Sequence, residues 1–502
     1  MNEEKGKANV WPNGTMYEIF VQSYADSNGD GIGDFNGLTS KLDYIQSLGI
    51  QGLWLMPFHP SPSYHKYDVT NYYGIHPNYG TMEDFKHFLE EAHKRNIKVV
   101  MDLVVNHTSW EHPWFVSARK SKSSPYRDYY VWADIDSVKD QIAKKETTFD
   151  SQNIWQWHSN GDDNAVPDGS QEYYFGFFYK GMPDLNYDNP EVRKEIIKIG
   201  TYWLEDIGVD GFRLDAAGHI YPDDLASKSQ DWWEEFGDAM RKVKPDVYIV
   251  GEVWGSREKL ASFTRGIHSV MNVNLHYDIV DMLSKEQNNG VIDSLILSTK
   301  LSRKITPAFN DAIIVDNHDT KRIRTNLGGS LEKEKLAYAI LLTLPGTPYV
   351  YYGDEIGMLG NKPPDEYVRE PFLWDVSSKD TLRTQWIKPE YSTDSTVLPL
   401  TLQLTDKHST FSFFKSWIHE RNNNKVLREG DLESMPVSQD LLTYSRSIGS
   451  EKLVALHNIT AKTKEIEIST LGCSNISFCF GENLSVKEGK ILLAPYQSVL
   501  LK

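Results

Sequence analysis

Three carboxylates lie at the ends of three separate β-branched runs, and their positions predict shared chemistry. Asp215 closes the run 209–215, Glu252 closes the run 247–252, and Asp319 follows the run 312–316. Residues that end the strands of a parallel barrel project into one common mouth. Glycoside cleavage needs two carboxyl groups at the scissile bond, one to donate a proton and one to attack or stabilise the cationic carbon. The spacing predicts such a site, with acids that merely cap the following helices as the alternative.

Basic and imidazole side chains accompany these acids. Arg213 lies two residues before Asp215, so the period of a strand puts both side chains on one face while their neighbours face the helices. The cation would keep Asp215 ionised, as a nucleophile requires. His107 and His318 occupy equivalent strand ends, and we expect them to bind hydroxyl groups as neutral imidazoles.

Short β-branched runs that alternate with amphipathic segments must supply the strands that carry these residues. Such alternation predicts βα units on a parallel sheet. In one amphipathic segment Asn189 caps a helix, Pro190 occupies its first position, and Gly208 ends it. Eight runs complete an α/β fold of the (β/α)8 TIM-barrel type, with an open doubly wound sheet as the alternative. The predicted strands are residues 16–21, 52–56, 97–102, 209–215, 247–252, 270–275, 312–316 and 347–352.

Two stretches depart from this repeat and predict additional domains. The chain from about 103 to 187 is too long for a βα loop, which indicates an inserted domain after strand 3. After a last helix at 411–423, short alternating runs indicate a C-terminal antiparallel β-domain. The predicted divisions are a barrel at 1–104 and 188–428, an inserted domain at 105–187 and a C-terminal domain at 429–502.

An aromatic cluster marks the inserted domain. Such a cluster is more often core than surface, and stacking on sugar rings is the alternative. Its members are Trp155, Trp157, Tyr173, Tyr174, Phe175, Phe177 and Phe178.

The composition excludes several classes of protein. The 502 residues carry 70 Asp and Glu against 53 Lys and Arg, and the net charge of −17 repels nucleic acid and anionic lipid. The longest apolar stretch, 336–352, is interrupted by Pro345, Gly346 and Pro348, so it falls short of the about 20 residues that span a membrane. We therefore expect no nucleic-acid partner and no membrane span.

Simpler features of the sequence predict the cellular location, the oligomeric state and the pairing of the cysteines. Residues 1–7 lack an apolar stretch, so the chain is either cytoplasmic or, as we prefer, an extracellular form whose signal peptide was removed. We expect a monomer. Cys473 and Cys479 fit no zinc or redox spacing, and we expect two unpaired thiols rather than a disulfide.

The segment 26–34 has a chemistry of its own. It places oxygen atoms at alternate positions around a glycine turn, as a hard cation such as Ca²⁺ requires. The pattern imitates an EF-hand loop, but Gly37 occupies the position of the bidentate Glu and a strand precedes the loop. We predict a calcium ion, with a solvated turn as the alternative. The predicted ligands are Asp26, Asn28, Asp30, the Ile32 carbonyl and Asp34.

Four sequence blocks together resemble the α-amylase family of retaining glycoside hydrolases, and the resemblance covers almost the whole chain. The blocks follow the family's order and domain spacing, which makes them a stronger signal together than any one alone. The motif 182–186 is also similar to one near the end of the family's inserted domain. The four blocks are Asp102-Leu103-Val104-Val105-Asn106-His107, Gly211-Phe212-Arg213-Leu214-Asp215, Glu252-Val253-Trp254-Gly255 and Val315-Asp316-Asn317-His318-Asp319.

The resemblance implies a role for particular residues. It implies that Asp215 is the nucleophile, Glu252 the general acid/base and Asp319 the residue that stabilises the transition state. In one branch of the family a loop similar to 26–34 binds calcium, and a second ion on Asn106 is a further implication. The other implied residues are Tyr67 stacking on the sugar before the scissile bond, Asp102 as support, and Asp68, His107, Arg213, His219 and His318 as substrate contacts.

The implied activity is hydrolysis of α-1,4 bonds in starch-like glucans and maltooligosaccharides. Ala216 follows the nucleophile, and in the resembling family a small residue there accompanies α-1,4 cleavage, whereas Val accompanies α-1,6 cleavage. Gly218 stands where many amylases have Lys, so we expect weaker binding beyond the cleavage point. Within the family the chain resembles the branch intermediate between oligo-1,6-glucosidases and neopullulanases. An oligo-α-glucosidase or a trehalose-synthase-like glucosyl transferase of the same family is the alternative. A non-catalytic barrel is disfavoured because all three acids are present.

Overall fold

Eight parallel strands close into a barrel, as the alternating runs predict. The computed structural model describes residues 12–143, 147–148, 153–154, 157–160, 172–436, 438–481 and 484–502. Each barrel strand pairs with the next in sequence, and the eighth pairs with the first. The strands, numbered one to eight, are Met16–Ile19, Gly52–Leu55, Lys98–Leu103, Gly211–Leu214, Tyr248–Gly251, Ser269–Asn272, Ala312–Ile313 and Thr347–Tyr351.

Side chains along each strand alternate between the barrel interior and the surrounding helices. Trp54 joins a small cluster inside the barrel, whereas Phe212 and Leu214 pack into the outer core. The ring of Phe212 lies 6.0 Å from that of Phe236 on an outer helix. Arg213 points inward, with its guanidinium 5.1 Å from the Trp54 ring. The two-residue period thus places the cation inside, as predicted.

Helices cover the outer face of the barrel. No helix in the described ranges is both long and apolar enough to cross a membrane. Their bounds are Val21–Tyr24, Phe35–Ser40, Leu42–Leu48, Met82–Lys94, Pro190–Thr201, Ala226–Val243, Arg257–Ser262, Val273–Lys285, Val291–Ile305, Ile323–Asn326, Leu331–Thr343, Leu400–Gln403, Thr410–Asn423 and Lys425–Glu429.

Several predicted elements differ in detail from the structure, and strands one and seven are shorter than predicted. The helix that Asn189 caps is regular only to Thr201 and continues as a π-helix over Tyr202–Ile207 before Gly208 ends it at φ 97°. The strand predicted at 270–275 ends at Asn272, because the Asn272 side chain accepts a hydrogen bond from the Leu275 amide at 3.0 Å and caps a helix.

The inserted domain follows strand three and contains a three-stranded antiparallel sheet. Within it Tyr174 and Phe175 are buried, which agrees with the core interpretation, whereas Phe177 and Phe178 are partly exposed. Trp155 lies outside the described residues. The elements are helices Pro113–Ala118 and Ile135–Ala143, sheet strands Trp132–Asp134, Glu172–Phe175 and Trp157–Ser159, and a paired Thr147–Thr148 and Asn153–Ile154.

The C-terminal domain is an antiparallel sheet that packs on the end of the barrel. Arg421, on the last long barrel helix, donates to the carbonyls of Leu342 and Leu344 at 2.9 and 2.8 Å. Arg446, on the sheet, donates to the Thr343 carbonyl at 2.6 Å. The five-stranded sheet contains Asp431–Ser434, Leu441–Ile448, Glu451–Asn458, Ser498–Leu501 and Ile476–Cys479, and a two-stranded sheet contains Lys464–Glu467 and Lys490–Leu493. Cys473 and Cys479 are free thiols, as expected.

Candidate active site

Arg213 holds three carboxylates together at the mouth of the barrel. Its buried Nη1 donates to Asp215 Oδ1 at 2.6 Å and to Asp102 Oδ1 at 3.0 Å. Nη2 lies 2.8 Å from Glu252 Oε2. These carboxylates come from strands three, four and five, so the barrel converges residues that are far apart in sequence. One guanidinium thus faces three carboxyl groups, which can stabilise positive charge where they are ionised.

Burial sets the protonation of the two aspartates. It raises the pKa of Asp215 above the ordinary value, and the Arg213 guanidinium opposes that rise. It also raises the pKa of Asp102 to about 6, again against Arg213. Asp215 is therefore expected to lose its charge at a higher pH than an exposed aspartate does.

The turn after strand four aims a backbone amide at Glu252. Ala216 has φ 47°, a left-handed conformation that costs a residue with a Cβ on the order of 1–2 kcal/mol. Its amide donates to Glu252 Oε2 at 2.9 Å. Trp254 Nε1 donates to Glu252 Oε1 at 2.7 Å. The strained turn and Trp254 together fix the carboxyl group that lies beside Asp215.

A second cluster of charged side chains surrounds Asp319. His318 Nε2 lies 3.1 Å from Asp319 Oδ2, and His318 Nδ1 lies 2.5 Å from Glu18 Oε1. Arg369 Nη2 donates to Asp319 Oδ1 at 3.2 Å. Burial opposes ionisation of Asp319, but the His318 imidazolium and then Arg369 lower its pKa below the usual range. Asp319 is consequently held as an anion.

His318 differs from the expectation of a neutral imidazole, and that prediction is wrong. Burial opposes its protonation, but Asp319 and Glu18 raise its pKa to about 9. No pattern around His318 predicts this charge, because Glu18 lies on strand one, 300 residues away. His318 acts as a cation between two carboxylates.

Tyr67 and His107 line the same mouth from the loops after strands two and three. The Tyr67 hydroxyl donates to Asp102 Oδ2 at 3.2 Å and lies 2.7 Å from His318 Nε2. His107 Nε2 lies 2.8 Å from the Tyr67 carbonyl oxygen. Burial lowers the pKa of His107 to about 4 despite that carbonyl, so its imidazole is neutral. The structure thus brings Tyr67 to Asp102 and His318, whereas His107 contacts the backbone of Tyr67.

Asp68 and Asn106 are buried behind the side chains that line the mouth of the barrel. Asp68 is buried and accepts from the Ser61 hydroxyl at 2.6 Å, so its carboxylate is occupied by its own loop. Asn106 Nδ2 donates to Asp184 Oδ2 at 3.3 Å. The buried Asn106 Oδ1 has no hydrogen-bond partner among the described residues. Neither side chain joins the three catalytic candidates directly.

His219 lies with Phe177 on the Glu252 side of the mouth. The two rings stack with centroids 4.3 Å apart and planes inclined by 29°. Burial first, and Lys259 next, lower the pKa of His219 to about 4. Phe178 contacts the His107 ring at 5.3 Å. The two phenylalanines of the inserted domain therefore contact each other and the predicted site histidines.

The loop 26–34 is held by its own side chains. Asp26 is buried and accepts from the Gly29 and Gly31 amides at 2.7 Å each. Asp34 is buried and accepts from the Gly37 amide, also at 2.7 Å. No ion pair in the described part of the chain involves Asp26, Asp30 or Asp34. Among the described residues, no group of three or more His, Cys, Asp or Glu side chains is placed so that it could hold a metal ion.

A closed barrel with acidic side chains at the ends of its strands is typical of enzymes whose chemistry takes place at the mouth of the barrel. The family described as alpha amylase, catalytic domain, matches residues 18–430. The chain belongs to the α-amylase family of glycoside hydrolases.

Individual relatives cover nearly all of the chain. Alpha-amylase 3 of Dictyoglomus thermophilum is 42% identical over 493 residues, covering 98% of this chain and 93% of its own. A 4-alpha-glucanotransferase of Thermotoga maritima is 34% identical, and the match covers 89% of this chain and 96% of the relative. The crystal structure of an alpha-amylase from H. orenii superposes with a TM-score of 0.86 at 38% identity, covering 97% and 99%.

Sequence reasoning missed three residues of the site. Glu18 interrupts the buried strand Met16–Ile19 with a charge, and an acid inside an apolar strand is a signal that could have identified it. Trp254 lies two residues after Glu252 within a recognised block, but its bond to the carboxyl group depends on the local turn. Arg369 lies in a long irregular segment, and no sequence pattern marks it.

Proposed function

We propose that the chain hydrolyses α-1,4-glucosidic bonds in starch-like glucans and maltooligosaccharides with retention of configuration. The observation that carries the proposal is the bridging of Asp215 and Glu252 by Arg213, which puts a nucleophile and a proton donor beside each other. The family supplies the reaction class, and the arrangement of these side chains supplies the roles.

The first step forms a glycosyl-enzyme ester. Asp215 attacks the anomeric carbon while Glu252 donates its proton to the glycosidic oxygen, so the carbon–oxygen bond breaks and the leaving sugar departs with a free hydroxyl. Glu252 Oε2 accepts from Ala216 and contacts Arg213, whereas among the described residues Oε1 accepts only from Trp254. We therefore assign the proton to Oε1.

The second step releases the sugar. Glu252, now ionised, removes a proton from water, and the resulting oxygen attacks the anomeric carbon as its bond to Asp215 breaks. Asp319 remains an anion and binds ring hydroxyls close to the carbon that carries positive charge. Tyr67 and Asp102 support the mouth through their hydrogen bond.

Linkage preference rests on the residue after the nucleophile. Ala216 places only a methyl group at the turn, and its left-handed conformation disfavours a β-branched residue there. We infer that the leaving sugar has room to approach through its 4-hydroxyl.

Product analysis on maltotriose and isomaltose at equal concentration tests this function. We expect clear hydrolysis of maltotriose, starch and longer maltooligosaccharides, and little hydrolysis of isomaltose. Asp215→Asn serves as the inactive control for contaminating enzymes. Faster hydrolysis of isomaltose than of maltotriose would reverse the linkage assignment.

A glucosyl transferase is the second candidate, because a relative that is 34% identical is a 4-alpha-glucanotransferase. In such an enzyme a sugar hydroxyl replaces water in the second step. Incubation with maltotriose distinguishes the two, since transfer produces chains longer than the substrate and hydrolysis produces only shorter ones.

We also propose that the loop 26–34 binds Ca²⁺. What supports it is that Asp26 and Asp34 are buried without a basic partner among the described residues, and buried charges need compensation. The ion would neutralise these carboxylates and stabilise the loop, and it would supply no step of the hydrolysis. The ligands would be Asp26, Asn28, Asp30, the Ile32 carbonyl and Asp34. The extracellular location, the monomeric state and a second ion on Asn106 stay predictions.

A further inference from the structure

An ion pair connects the two loops that carry His219 and Glu252. Lys259 Nζ lies 2.7 Å from Asp223 Oδ1. Asp223 follows strand four, and Lys259 is on the helix Arg257–Ser262 after strand five. Because Glu252 protonates the leaving oxygen in the proposed mechanism, this pair stands on the side of the site where the leaving sugar lies.

Two glycines give the Lys259 stem its path toward Glu252. A Cβ built on Gly255 would lie 2.7 Å from Lys259 Cδ, and a Cβ built on Gly218 would lie 3.9 Å from Lys259 Cε. The stem therefore crosses Gly255 and ends over Gly218, whose own amide donates to the Glu252 carbonyl at 3.3 Å. The missing side chain at Gly218 leaves the space that the end of Lys259 occupies.

The groups around the Lys259 ammonium suit a neutral polyhydroxyl ligand. In the described part of the chain the ammonium bonds only Asp223, so further N–H donors are free. The His219 ring nitrogens have no hydrogen-bond partner among the described residues, and its ring is held by Phe177. A cation, a neutral imidazole and a carboxylate together offer both donors and acceptors to sugar hydroxyls.

We propose that Lys259 binds the sugar on the leaving side of the scissile bond and thereby sets how well sugars, rather than water, occupy that side. It contributes from the neighbouring loop the cation that the sequence lacks at position 218. This inference rests on the proposed function, since it assumes that Glu252 protonates the leaving group. Asp223 is the residue that positions the ammonium.

The experiment compares two substrates with the variant Lys259→Met. Maltotriose needs a bound leaving sugar, whereas α-maltosyl fluoride releases fluoride and needs none. We expect kcat/KM for maltotriose to fall about tenfold, through loss of a charged hydrogen bond, and kcat/KM for the fluoride to stay unchanged. Arg257→Met is the matched control, because it removes another ion pair, with Asp278, from the same helix.

A rescue variant separates binding from a structural effect. Gly218 has ordinary contact distances for a Cβ, 3.4 Å to Val253 Cγ1 at the nearest, so we expect Gly218→Lys to fold, which its Tm checks. The double variant Gly218→Lys, Lys259→Met should recover maltotriose cleavage. Equal losses on both substrates, or no loss on either, would overturn the inference. The inference would also be overturned if the wild-type protein cleaved α-maltosyl fluoride but not maltotriose. Failure of the wild-type protein on both substrates would instead contradict the proposed function.

Discussion

Replacing Arg213 by lysine tests whether one planar cation organises the site. Lysine keeps the positive charge, but a single ammonium on a flexible stem cannot reach Asp102, Asp215 and Glu252 at once. If it keeps one of the three contacts, two charged contacts of about 1.5 kcal/mol or more each are lost. The loss of about 3 kcal/mol corresponds to roughly a hundredfold decrease in kcat/KM.

The pH profile gives this variant a second signature. Burial raises the pKa of Asp215, and Arg213 opposes that rise, so weakening their contact raises the pKa further. The nucleophile must be ionised, so kcat/KM falls as pH falls through this pKa, and the acid limb moves to higher pH in the variant. Initial rates on maltotriose across pH measure both effects. Arg322→Lys, at a buried arginine paired with Asp354, controls for damage to the fold. A variant within threefold of wild type, with an unmoved acid limb, would refute the reasoning.

Three further substitutions address single roles. Asp215→Asn should keep the wild-type Tm but lose at least about a thousandfold in kcat, and retention of substantial turnover argues against the nucleophile assignment. Glu252→Gln should lose less on an aryl glycoside with a good leaving group than on starch, because such a group needs little protonation. Equal losses would count against it as the acid. Asp30→Ala should lower both the calcium content measured by elemental analysis and the Tm, and added Ca²⁺ should raise the Tm of the wild type only. Unchanged values in the variant would exclude this loop.

The parts of the molecule that follow local rules could be predicted from sequence. The barrel is visible because each strand is a short β-branched run, and the position of Arg213 follows from the two-residue period of a strand. The helix after Asn189 is visible because its cap and its glycine stop are local signals. The identity of the acids follows from where those strands end.

Features that depend on contacts across the barrel could not be predicted. His318 becomes a cation only because strand one brings Glu18 beside it, and no pattern around His318 indicates that neighbour. The π-helix before Gly208 similarly has no composition that distinguishes it from a regular last turn. The path of Lys259 over two glycines could not be predicted either, because it depends on the distance between two loops.

The two arginines at the end of the barrel have a consequence for how this chain can be rearranged. Strand eight closes the barrel against strand one, and the segment that enters it is tied down by Arg421 from the last long helix and by Arg446 from the C-terminal sheet. A chain cut after the barrel would leave the Thr343 carbonyl without the Arg446 guanidinium, four residues before the strand that closes the barrel begins. The C-terminal sheet therefore stabilises the segment that leads into strand eight. If this sheet is exchanged for that of another protein, the new sheet must supply an arginine that reaches the Thr343 carbonyl.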